Sequence, residues 1–239
     1  MTDSAMVVGA SSGIGEALAR KLAAEGYEVG LAARRRERLK EIGACLPTQA
    51  YVARIDVTDV EDARQGFAEV ADAMDGIDLV VLNAGVGFEN RDLDWEPERV
   101  TVDTNVRGFV ALATAAMDHF ERRGHGRLVG ISSVAARFGS GLGPAYNASK
   151  AFVSTYLDGL RYRARTLDAD VGVTTIEPGY VDTALAQGTF WMAAPETAAD
   201  QIYGAIRRGK NHAYVTRRWR LVAGLVDLLP DVVRRRLFS

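Results

Sequence analysis

Three glycines near the start of the chain join a short strand pattern to a helix pattern. The apolar residues 5–9 predict a buried strand, Gly9, Gly13 and Gly15 punctuate the loop, and residues 16–25 predict a helix. Glycines in this context allow a tight turn and let backbone N–H groups approach a pyrophosphate at the positive end of the helix. The spacing G-x-x-x-G-x-G differs from the commonest dinucleotide motif, G-x-G-x-x-G. A plain glycine turn is the alternative for this loop taken alone.

Strand and helix patterns alternate along the rest of the chain. Further strands are predicted over 28–33, 49–55, 79–82, 127–131, 171–176 and 212–215, and helices over 60–74, 97–123 and 146–168 and from Pro195. This alternation predicts an α/β fold with a doubly wound parallel sheet and helices on both faces. At 239 residues, one undivided domain is expected. We place it at residues 1–216, followed by an amphipathic tail at 217–239.

The composition argues against several classes of protein. The chain is 48% hydrophobic and 25% charged, with a formal net charge of −2, so nucleic acid is not an expected partner. A single cysteine, Cys45, excludes an intramolecular disulfide, and the scattered histidines show no metal-ligand spacing. The first residues lack a signal pattern, and no apolar run reaches the roughly 18 residues that span a bilayer. We therefore expect a cytoplasmic protein without a metal.

The residues after the second predicted strand indicate which dinucleotide would fit. In folds that select NAD, an acidic residue near the end of this strand binds the adenosine ribose. Here the strand ends in Ala33, and Arg34 and Arg35 follow. A guanidinium suits a 2′-phosphate because it forms paired, charge-assisted hydrogen bonds. We predict NADP(H) rather than NAD(H), with Arg34 as the first choice, Arg35 as the second, and Ser11 or Ser12 assisting. A solvated basic helix start is the alternative.

Small and polar residues follow two other predicted strands. Asp56 and Val57 come after the third strand, and Asn83-Ala84-Gly85 come after the fourth. The carboxyl ends of strands in an open parallel sheet face the ligand crevice. A small, glycine-ended turn would also let the backbone lie against a cofactor. Both groups are therefore candidates for cofactor contact.

The stretch from Ser132 to Lys150 gathers three chemically active side chains. A strand pattern ends in Ser132 and Ser133, and the helix pattern that follows carries Tyr146 and Lys150 in its first turns. Residues four apart share one helix face, so the phenol and the ammonium point the same way. Ser133 can reach that face across the intervening loop. The three groups together are suited to proton transfer.

Taken in order, these motifs resemble the short-chain dehydrogenase/reductase family, in its short single-domain branch, over residues 5–215. The matches are GASSGIG at 9–15, Asn83-Ala84-Gly85, Ser133 with YNASK at 146–150, and Pro178-Gly179. One departure is Leu82, where many members carry a second asparagine. The resemblance implies a Rossmann-like fold, a homodimer or homotetramer, and hydride transfer between a nicotinamide cofactor and a small carbonyl or alcohol substrate. Arg34 and Arg35 favour NADP(H) as that cofactor, and the apolar residues Phe190, Trp191 and Met192 favour an apolar substrate.

The resemblance also implies site residues. It places a catalytic tetrad on Asn105, Ser133, Tyr146 and Lys150, and it gives Asn105 a water that links Lys150 to solvent. Asn105 alone would be interpreted as a surface residue of a helix. The backbone after Pro178, with Thr183, is expected to hold the carboxamide of a nicotinamide. The full set of expected cofactor contacts is Gly9, Ser11, Ser12, Gly13, Ile14, Gly15, Arg34, Arg35, Asp56, Val57, Asn83, Ala84, Gly85, Tyr146, Lys150, Pro178, Gly179, Val181 and Thr183.

Tyr146 is expected to be the proton donor and to have a lowered pKa. A free phenol has a pKa of about 10, and lowering it by about 3 units needs roughly 4 kcal/mol of preferential stabilisation of the phenolate. The positive charge of Lys150, one helical turn away, is expected to supply much of this stabilisation. Ser133 is expected to donate a hydrogen bond to the substrate oxygen.

Two apolar segments lie beyond the matched motifs. Residues 188–194, which include Phe190, Trp191 and Met192, are expected to cover the substrate as a lid, or else to pack into the core. The tail has apolar residues at helical spacing until Pro230. We expect this helix to pack on its own domain or on a second subunit.

Contact between the tail and a membrane surface is the alternative, because Arg217, Arg218 and residues 234–236 are basic. Two other functions remain open at this point. One is a catalytically idle sensor or scaffold that binds a dinucleotide, against which the intact Ser133, Tyr146 and Lys150 argue. The other is a membrane-surface reductase of lipid-like substrates.

Overall fold

A computed structural model describes residues 3–183, 185, 190–230 and 232–233. Within these residues, seven parallel strands form one sheet in the order β3-β2-β1-β4-β5-β6-β7. The strands are β1 (Ser4–Val8), β2 (Glu28–Ala33), β3 (Ala50–Arg54), β4 (Leu79–Leu82), β5 (His125–Ile131), β6 (Asp170–Pro178) and β7 (His212–Val215). The predicted doubly wound parallel sheet is confirmed.

Helices cover both faces of the sheet, which is why its central strands are buried. All five residues of β1 and all four of β4 are buried, as expected for strands with apolar layers on two sides. The helices are α1 (Gly13–Ala24), α2 (Arg36–Ala44), α3 (Val60–Ala73), α4 (Trp95–Val102), α5 (Phe109–Arg123), α6 (Pro144–Ala164), α7 (Pro195–Arg207) and α8 (Trp219–Leu228). Buried side chains of α1, α2 and α7 share one core, and those of α3, α5 and α6 share the other.

The strand order reverses between β1 and β4. β1 pairs with β2 on one side and with β4 on the other. The loops that leave the carboxyl ends of these two strands therefore diverge to opposite faces and open a crevice. The glycine loop at 9–15 and the Asn83-Ala84-Gly85 turn form its two sides.

The predicted helix over 97–123 is wrong in one respect. It is divided into α4, a π-helical turn over Asp103–Gly108, and α5. A π-turn inserts an extra residue per turn and rotates the side chains that follow it. Asn105 lies in this turn and is 2% exposed, so it is a buried residue and not a surface residue.

The tail helix α8 packs on its own domain. Its inner residues Trp219, Ala223 and Val226 are buried, and the helix contacts β7 and the 3-10 turn Val134–Arg137. Its outer residues Leu221 and Leu225 are exposed. Residues 188, 189 and 234–236, which the sequence singles out, lie outside the described residues. None of the helices in the described part of the chain is long and apolar enough to span a bilayer.

A fully buried carboxylate fastens the elements around the end of β6. The Arg137 guanidinium donates hydrogen bonds to both carboxylate oxygens of Glu177 at 3.0–3.1 Å, and Ser154 Oγ donates to one of them at 2.9 Å. His212 Nε2 of β7 lies 3.2 Å from the same carboxylate. Although burial alone would raise the pKa of Glu177, these partners lower it. The Glu177 carboxylate therefore joins the turn after β5, α6 and β7 to β6.

We predict that Glu177→Gln lowers the free energy of unfolding at pH 7 by about 3 kcal/mol, because the variant removes one charge of the buried ion pair between Glu177 and Arg137. The lowered pKa means that the wild-type contribution is complete above the unfolded pKa of about 4.3 and is lost as the pH falls through the folded value. The difference between wild type and variant should therefore shrink as the pH falls below about 4. Urea unfolding followed by circular dichroism from pH 7 to pH 3 measures it.

Glu41→Gln is the matched control, because the Glu41 side chain is 67% exposed and pairs with Arg38 at the surface. It should leave the stability unchanged at every pH. An equal effect of the two substitutions, or a difference that grows in acid, would contradict the structural role of Glu177.

Candidate functional site

The glycine loop and the turn after β4 touch backbone to backbone. A Cβ at Gly9, where φ is +87°, would stand 2.6 Å from the backbone nitrogen of Ala84. A Cβ at Gly15 would stand 2.1 Å from the carbonyl oxygen of Gly9. Asn83 Nδ2 also donates to the Gly9 carbonyl at 3.0 Å. Glycine is therefore required at both positions, and the hydrogen bond from Asn83 holds the loop in one conformation.

A cavity of about 540 Å³ lies over this loop. Predicted residues line most of its wall, namely Gly9, Ser11, Ser12, Gly13, Ile14, Arg34, Arg35, Asp56, Val57, Asn83, Ala84, Gly85 and Thr183. Gly15 is absent from the wall and packs behind the loop against Gly9 instead. The structure thus gathers the strand-end residues that the sequence placed at one crevice.

The two predicted arginines differ in how they are held. Arg35 Nη2 donates to Ser11 Oγ and to Ser12 Oγ, each at 2.9 Å. Arg34 lines the cavity, and its guanidinium forms no hydrogen bond or ion pair with the described residues. Although burial would raise the pKa of Asp56, hydrogen bonds from Thr58 and the charge of Arg34 lower it. Arg34 therefore has all its donors available beside a serine-lined, basic corner.

A second cavity, of about 460 Å³, adjoins the first. The two share wall residues, including Ile14, Asn83 and Thr183. Ser133, Tyr146 and Lys150 all line the second cavity, as do Pro178, Gly179 and Val181. The sheet end and α6 thus bring the three predicted proton-transfer groups to one wall.

Ser133 is positioned by the turn that follows β5. Its hydroxyl oxygen accepts a hydrogen bond from the Ala135 backbone N–H at 3.1 Å, which caps the 3-10 turn. The hydroxyl itself lies 3.4 Å from the Pro178 carbonyl, a long contact for an O–H donor. Its proton is therefore loosely held and can be donated to another acceptor in the cavity.

Lys150 is a buried ammonium. It is 4% exposed, and Nζ donates to the Ile131 carbonyl at 3.0 Å. Burial lowers its pKa to about 8. Nζ also lies 5.8 Å from the centre of the Tyr146 ring. Lys150 therefore stays mostly protonated at pH 7, with two N–H donors left after the bond to Ile131.

The expected lowering of the Tyr146 pKa is not found in the protein alone. Burial raises the pKa of Tyr146, and a hydrogen bond with Ser133 offsets only part of the rise. Removing the phenol from water penalises the phenolate, and this cost exceeds the effect of neighbouring groups. Tyr146 therefore holds its proton at neutral pH.

Asn105 is enclosed by protein and lines neither cavity. Its Oδ1 accepts from Val86 N at 2.9 Å, and its Nδ2 donates to Val86 O at 2.8 Å and to Ser149 Oγ at 3.0 Å. The π-turn orients the Asn105 side chain so that it contacts both Val86, in the segment after β4, and Ser149 of α6. Asn105 therefore fixes the backbone that faces Lys150, and both N–H donors of its amide are used in doing so.

The wall of the second cavity includes residues that sequence reasoning missed. Gly87, in the wall of the first cavity, was also missed, and a Cβ there would stand 2.6 Å from Tyr146 Cδ2. Other missed residues are apolar, namely Phe88, Val134, Phe138, Leu142, Leu185, Trp219, Val222 and Val226. Gly87 lies two residues after the Asn83-Ala84-Gly85 motif, and this closeness in sequence could have identified it as a further residue of the site. The helical spacing in the tail did not reveal which of its faces would meet the cavity.

The expected lid residues Phe190, Trp191 and Met192 do not line the cavity. Phe190 and Trp191 stack on each other and pack against the outer side of Trp219, with ring centres 5.9 and 6.2 Å away. Trp219 itself forms the wall. A Cβ at Gly179 would stand 1.9 Å from Trp219 Cε2, so the indole lies directly on this glycine.

The first cavity fits a dinucleotide by its own chemistry. Gly9 and Gly13 have positive φ values, and a side chain at Gly13 would stand 2.8 Å from Thr183 Cγ2. The loop therefore leaves room where a pyrophosphate would lie, at the start of α1. Free guanidinium donors are suited to a phosphate at one end. Among the described residues, no cluster of three or more histidine, cysteine or acidic side chains could hold a metal.

Comparisons with known proteins agree with this geometry. The family model described as short chain dehydrogenase matches residues 3–192. An uncharacterized oxidoreductase of Mycobacterium tuberculosis is 37% identical, over 97% of this chain and 95% of that protein. The NADP-dependent 3-hydroxy acid dehydrogenase YdfG of Escherichia coli is 34% identical, over 74% of this chain and 71% of that protein.

Solved structures show the same architecture. A short-chain dehydrogenase from Streptomyces avermitilis has a TM-score of 0.84 and 26% identity, with 99% of this chain and 96% of that chain covered. A short chain dehydrogenase/reductase from Burkholderia phymatum, solved in complex with NAD, has a TM-score of 0.86 over 94% of this chain and 92% of that chain. Its identity of 20% shows the fold alone.

We predict that Gly179→Ala displaces Trp219 from the cavity wall, because the added methyl group has no room beside the indole. Overpacking of this kind costs about 1–3 kcal/mol. The displaced indole should shift the tryptophan emission to longer wavelength, and the free energy of unfolding should fall. Fluorescence spectra and urea unfolding of the purified variant measure both effects.

Gly224→Ala is the matched control in α8, since a Cβ there would meet nothing within 4 Å. It should leave the emission unchanged and stabilise the helix by about 0.5–1 kcal/mol. An emission spectrum of the Gly179→Ala variant identical to wild type would show that Trp219 does not lie on Gly179.

Proposed function

The chain belongs to the short chain dehydrogenase family, and on that premise we propose that it is an NADP(H)-dependent oxidoreductase of apolar carbonyl or alcohol substrates. The observation that carries the proposal is the shared wall of the two cavities. A phosphate-sized glycine loop with free arginine donors lies on one side. Ser133, Tyr146 and Lys150 line the other side.

The proposed reaction divides between cofactor and protein. A bound nicotinamide supplies a hydride to the carbonyl carbon, or accepts one from the alcohol carbon. The protein must then supply or accept one proton at the substrate oxygen. Reduction therefore consumes one hydride and one proton for each carbonyl that becomes an alcohol.

Tyr146 is the proposed proton donor in the direction of reduction. Its raised pKa keeps the phenol protonated at neutral pH, which is the state a donor needs. Hydride addition to a carbonyl carbon leaves an alkoxide, which is a far stronger base than a phenolate. Proton transfer from Tyr146 to the substrate oxygen is therefore downhill. In the direction of oxidation, the phenol must lose its proton first, and added positive charge in the site would favour that state.

Ser133 and Lys150 are proposed to assist Tyr146 in different ways. The loosely held hydroxyl of Ser133 can donate to the substrate oxygen and stabilise the negative charge that develops on it. The remaining N–H donors of Lys150 can bind the ribose hydroxyls beside a nicotinamide, and its positive charge favours the phenolate. Asn105 is a positioning residue, since it fixes Val86 and Ser149 around Lys150.

The remaining predicted contacts follow the shared wall. Gly9, Ser11, Ser12, Gly13 and Ile14 would hold the pyrophosphate, and Asp56 and Val57 would face the adenine. Pro178, Gly179, Val181 and Thr183 would meet the nicotinamide. Preference for the 2′-phosphate is proposed to depend on Arg34, whose donors are free, with Arg35 held beside it by the serines.

The substrate is proposed to be apolar because the second cavity is. Phenyl and aliphatic side chains, including Phe88, Leu142 and Val226, surround the hydroxyl groups of Ser133 and Tyr146. Burying apolar surface against such a wall contributes roughly 25 cal/mol per Å². The Arg137 guanidinium on the wall already pairs with Glu177, so a substrate carboxylate would compete with a buried partner.

We predict that Tyr146→Phe lowers kcat by at least about 100-fold in carbonyl reduction while NADPH still binds, because only the hydroxyl is lost. Turnover is measured as NADPH consumption with a panel of ketones and aldehydes. Binding is measured as quenching of protein fluorescence by NADPH.

Tyr162→Phe is the control, since Tyr162 is 63% exposed on α6 and far along the helix from the cavity. It should retain full activity. Unchanged activity of the Tyr146→Phe variant would exclude Tyr146 as the proton donor. Tight binding of NADPH to wild type with no turnover on any substrate would instead favour a dinucleotide-binding sensor.

We predict that Arg34→Ala lowers kcat/KM for NADPH by about 10- to 150-fold, which corresponds to the roughly 1.5–3 kcal/mol of a hydrogen bond to a charged group. The value for NADH should change little, because NADH lacks the 2′-phosphate. Arg36→Ala is the matched control, since Arg36 is the first residue of α2 and does not line the dinucleotide cavity. If the NADPH-to-NADH ratio stays constant in the Arg34→Ala variant, Arg34 does not select the cofactor.

A further inference from the structure

The outer side of the C-terminal region carries a set of exposed apolar side chains. Leu221 and Leu225, one turn apart on α8, are 73% and 62% exposed. Phe190 and Trp191 are also exposed, and both pack beside Trp219 at the start of the same helix. Val232 and Val233 are exposed just beyond Pro230. Single exposed leucines are ordinary, but a group of this kind marks an interaction surface.

Arginines border these apolar residues. Arg217, Arg218 and Arg220 are exposed, and their side chains form no ion pair with the described residues. The Arg218 guanidinium lies 5.2 Å from the Trp191 ring and donates to the Trp191 carbonyl at 2.7 Å. In the sequence, residues 217–239 hold six arginines and two aspartates, although the whole chain has a net charge of −2. The positive charges of Arg217, Arg218 and Arg220 thus lie next to the exposed apolar side chains.

We propose that this surface, formed by Phe190, Trp191, Leu221 and Leu225 with Arg217, Arg218 and Arg220, docks the protein on an anionic phospholipid bilayer. A helix that lies in a membrane interface buries leucine and aromatic side chains among the acyl chains and keeps arginines at the headgroups. Negative headgroups attract such a cluster of arginines. One face of the molecule carries both the apolar side chains and the arginines that such binding needs.

A second copy of the chain is a poorer occupant for the same surface. The commonest dimers are twofold symmetric, so each protomer would present the same patch to its partner. Such an interface would bring Arg217, Arg218 and Arg220 of both protomers together at its border, and none of the three forms an ion pair with the described residues of its own chain. Like charges facing each other across an interface oppose association. An anionic bilayer has the complementary charge.

Docking would place the substrate cavity next to the lipid. The inner face of α8 forms part of the cavity wall through Trp219, Val222 and Val226, while the outer face carries Leu221 and Leu225. One helix therefore separates the apolar cavity from the proposed membrane surface. The docking proposal does not depend on the proposed reaction, because lipid binding is measured without substrate or cofactor.

Vesicle co-sedimentation of the full chain tests the proposal. Wild type should sediment with vesicles made of equal parts phosphatidylcholine and phosphatidylserine, and far less with phosphatidylcholine alone. The double variant Leu221→Glu, Leu225→Glu should bind the anionic vesicles at least about 10-fold more weakly, since carboxylates are repelled by the headgroups and leucine burial is lost. Arg217→Gln, Arg218→Gln, Arg220→Gln should also weaken binding, and high salt should weaken it in wild type.

Trp95→Glu is the matched control, because Trp95 is 73% exposed on α4 and lies outside the proposed surface. It should bind vesicles as wild type does, and the thermal unfolding of each variant verifies that it is folded. The proposal is overturned if wild type does not bind anionic vesicles, or if the folded Leu221→Glu, Leu225→Glu variant binds them as well as wild type. It is also overturned if that variant converts an oligomer to a monomer without changing lipid binding, because the surface would then be a subunit interface.

Discussion

The architecture of the site depends on one close approach between two stretches of backbone. Gly9 and Gly15 bring the loop after β1 against the turn after β4, where Ala84 and the Gly9 carbonyl leave no room for a Cβ. This contact lies where the strand order reverses, so the two loops bound a crevice instead of covering it. Because interiors are closely packed and yield little, the shape of the crevice follows from the absence of these side chains.

Two buried ionisable groups beside this crevice, Glu177 and Lys150, differ in how many partners they have. Glu177 accepts hydrogen bonds from Arg137 and Ser154 and lies 3.2 Å from His212, and its pKa is lowered despite burial. Lys150 has one carbonyl partner, and burial lowers its pKa to about 8. Removing a partner from a buried, paired charge is destabilising, whereas a buried charge with spare hydrogen-bonding capacity can bind or respond to a ligand. The contrast separates the structural carboxylate from the ammonium of the site.

The sequence predicted much of the site because its residues follow directly from local patterns. Tyr146 and Lys150 share a helix face by their spacing alone, and strand ends in an open parallel sheet point to one edge. The pKa of Tyr146 could not be predicted in the same way. Proximity to Lys150 indicated a lower value, but the cost of burial depends on every residue around the phenol, and it raises the value. The burial of Asn105 was likewise not predictable from local pattern, and only the resemblance pointed to this residue, since a π-turn decides which way its side chain faces.

The order of strands and helices, the glycine loop and the spacing of Tyr146 and Lys150 were determined by the sequence alone, because each depends on residues near one another in the chain. The apolar wall of the second cavity was decided only by the tertiary structure. Helical spacing shows that α8 has apolar residues on more than one side, but it does not show which side is covered. Packing on the turn after β5 places Val222 and Val226 in the cavity wall and leaves Leu221 and Leu225 exposed. Which face of a helix is buried depends on contacts between segments that are distant in the sequence, and these contacts exist only in the folded chain.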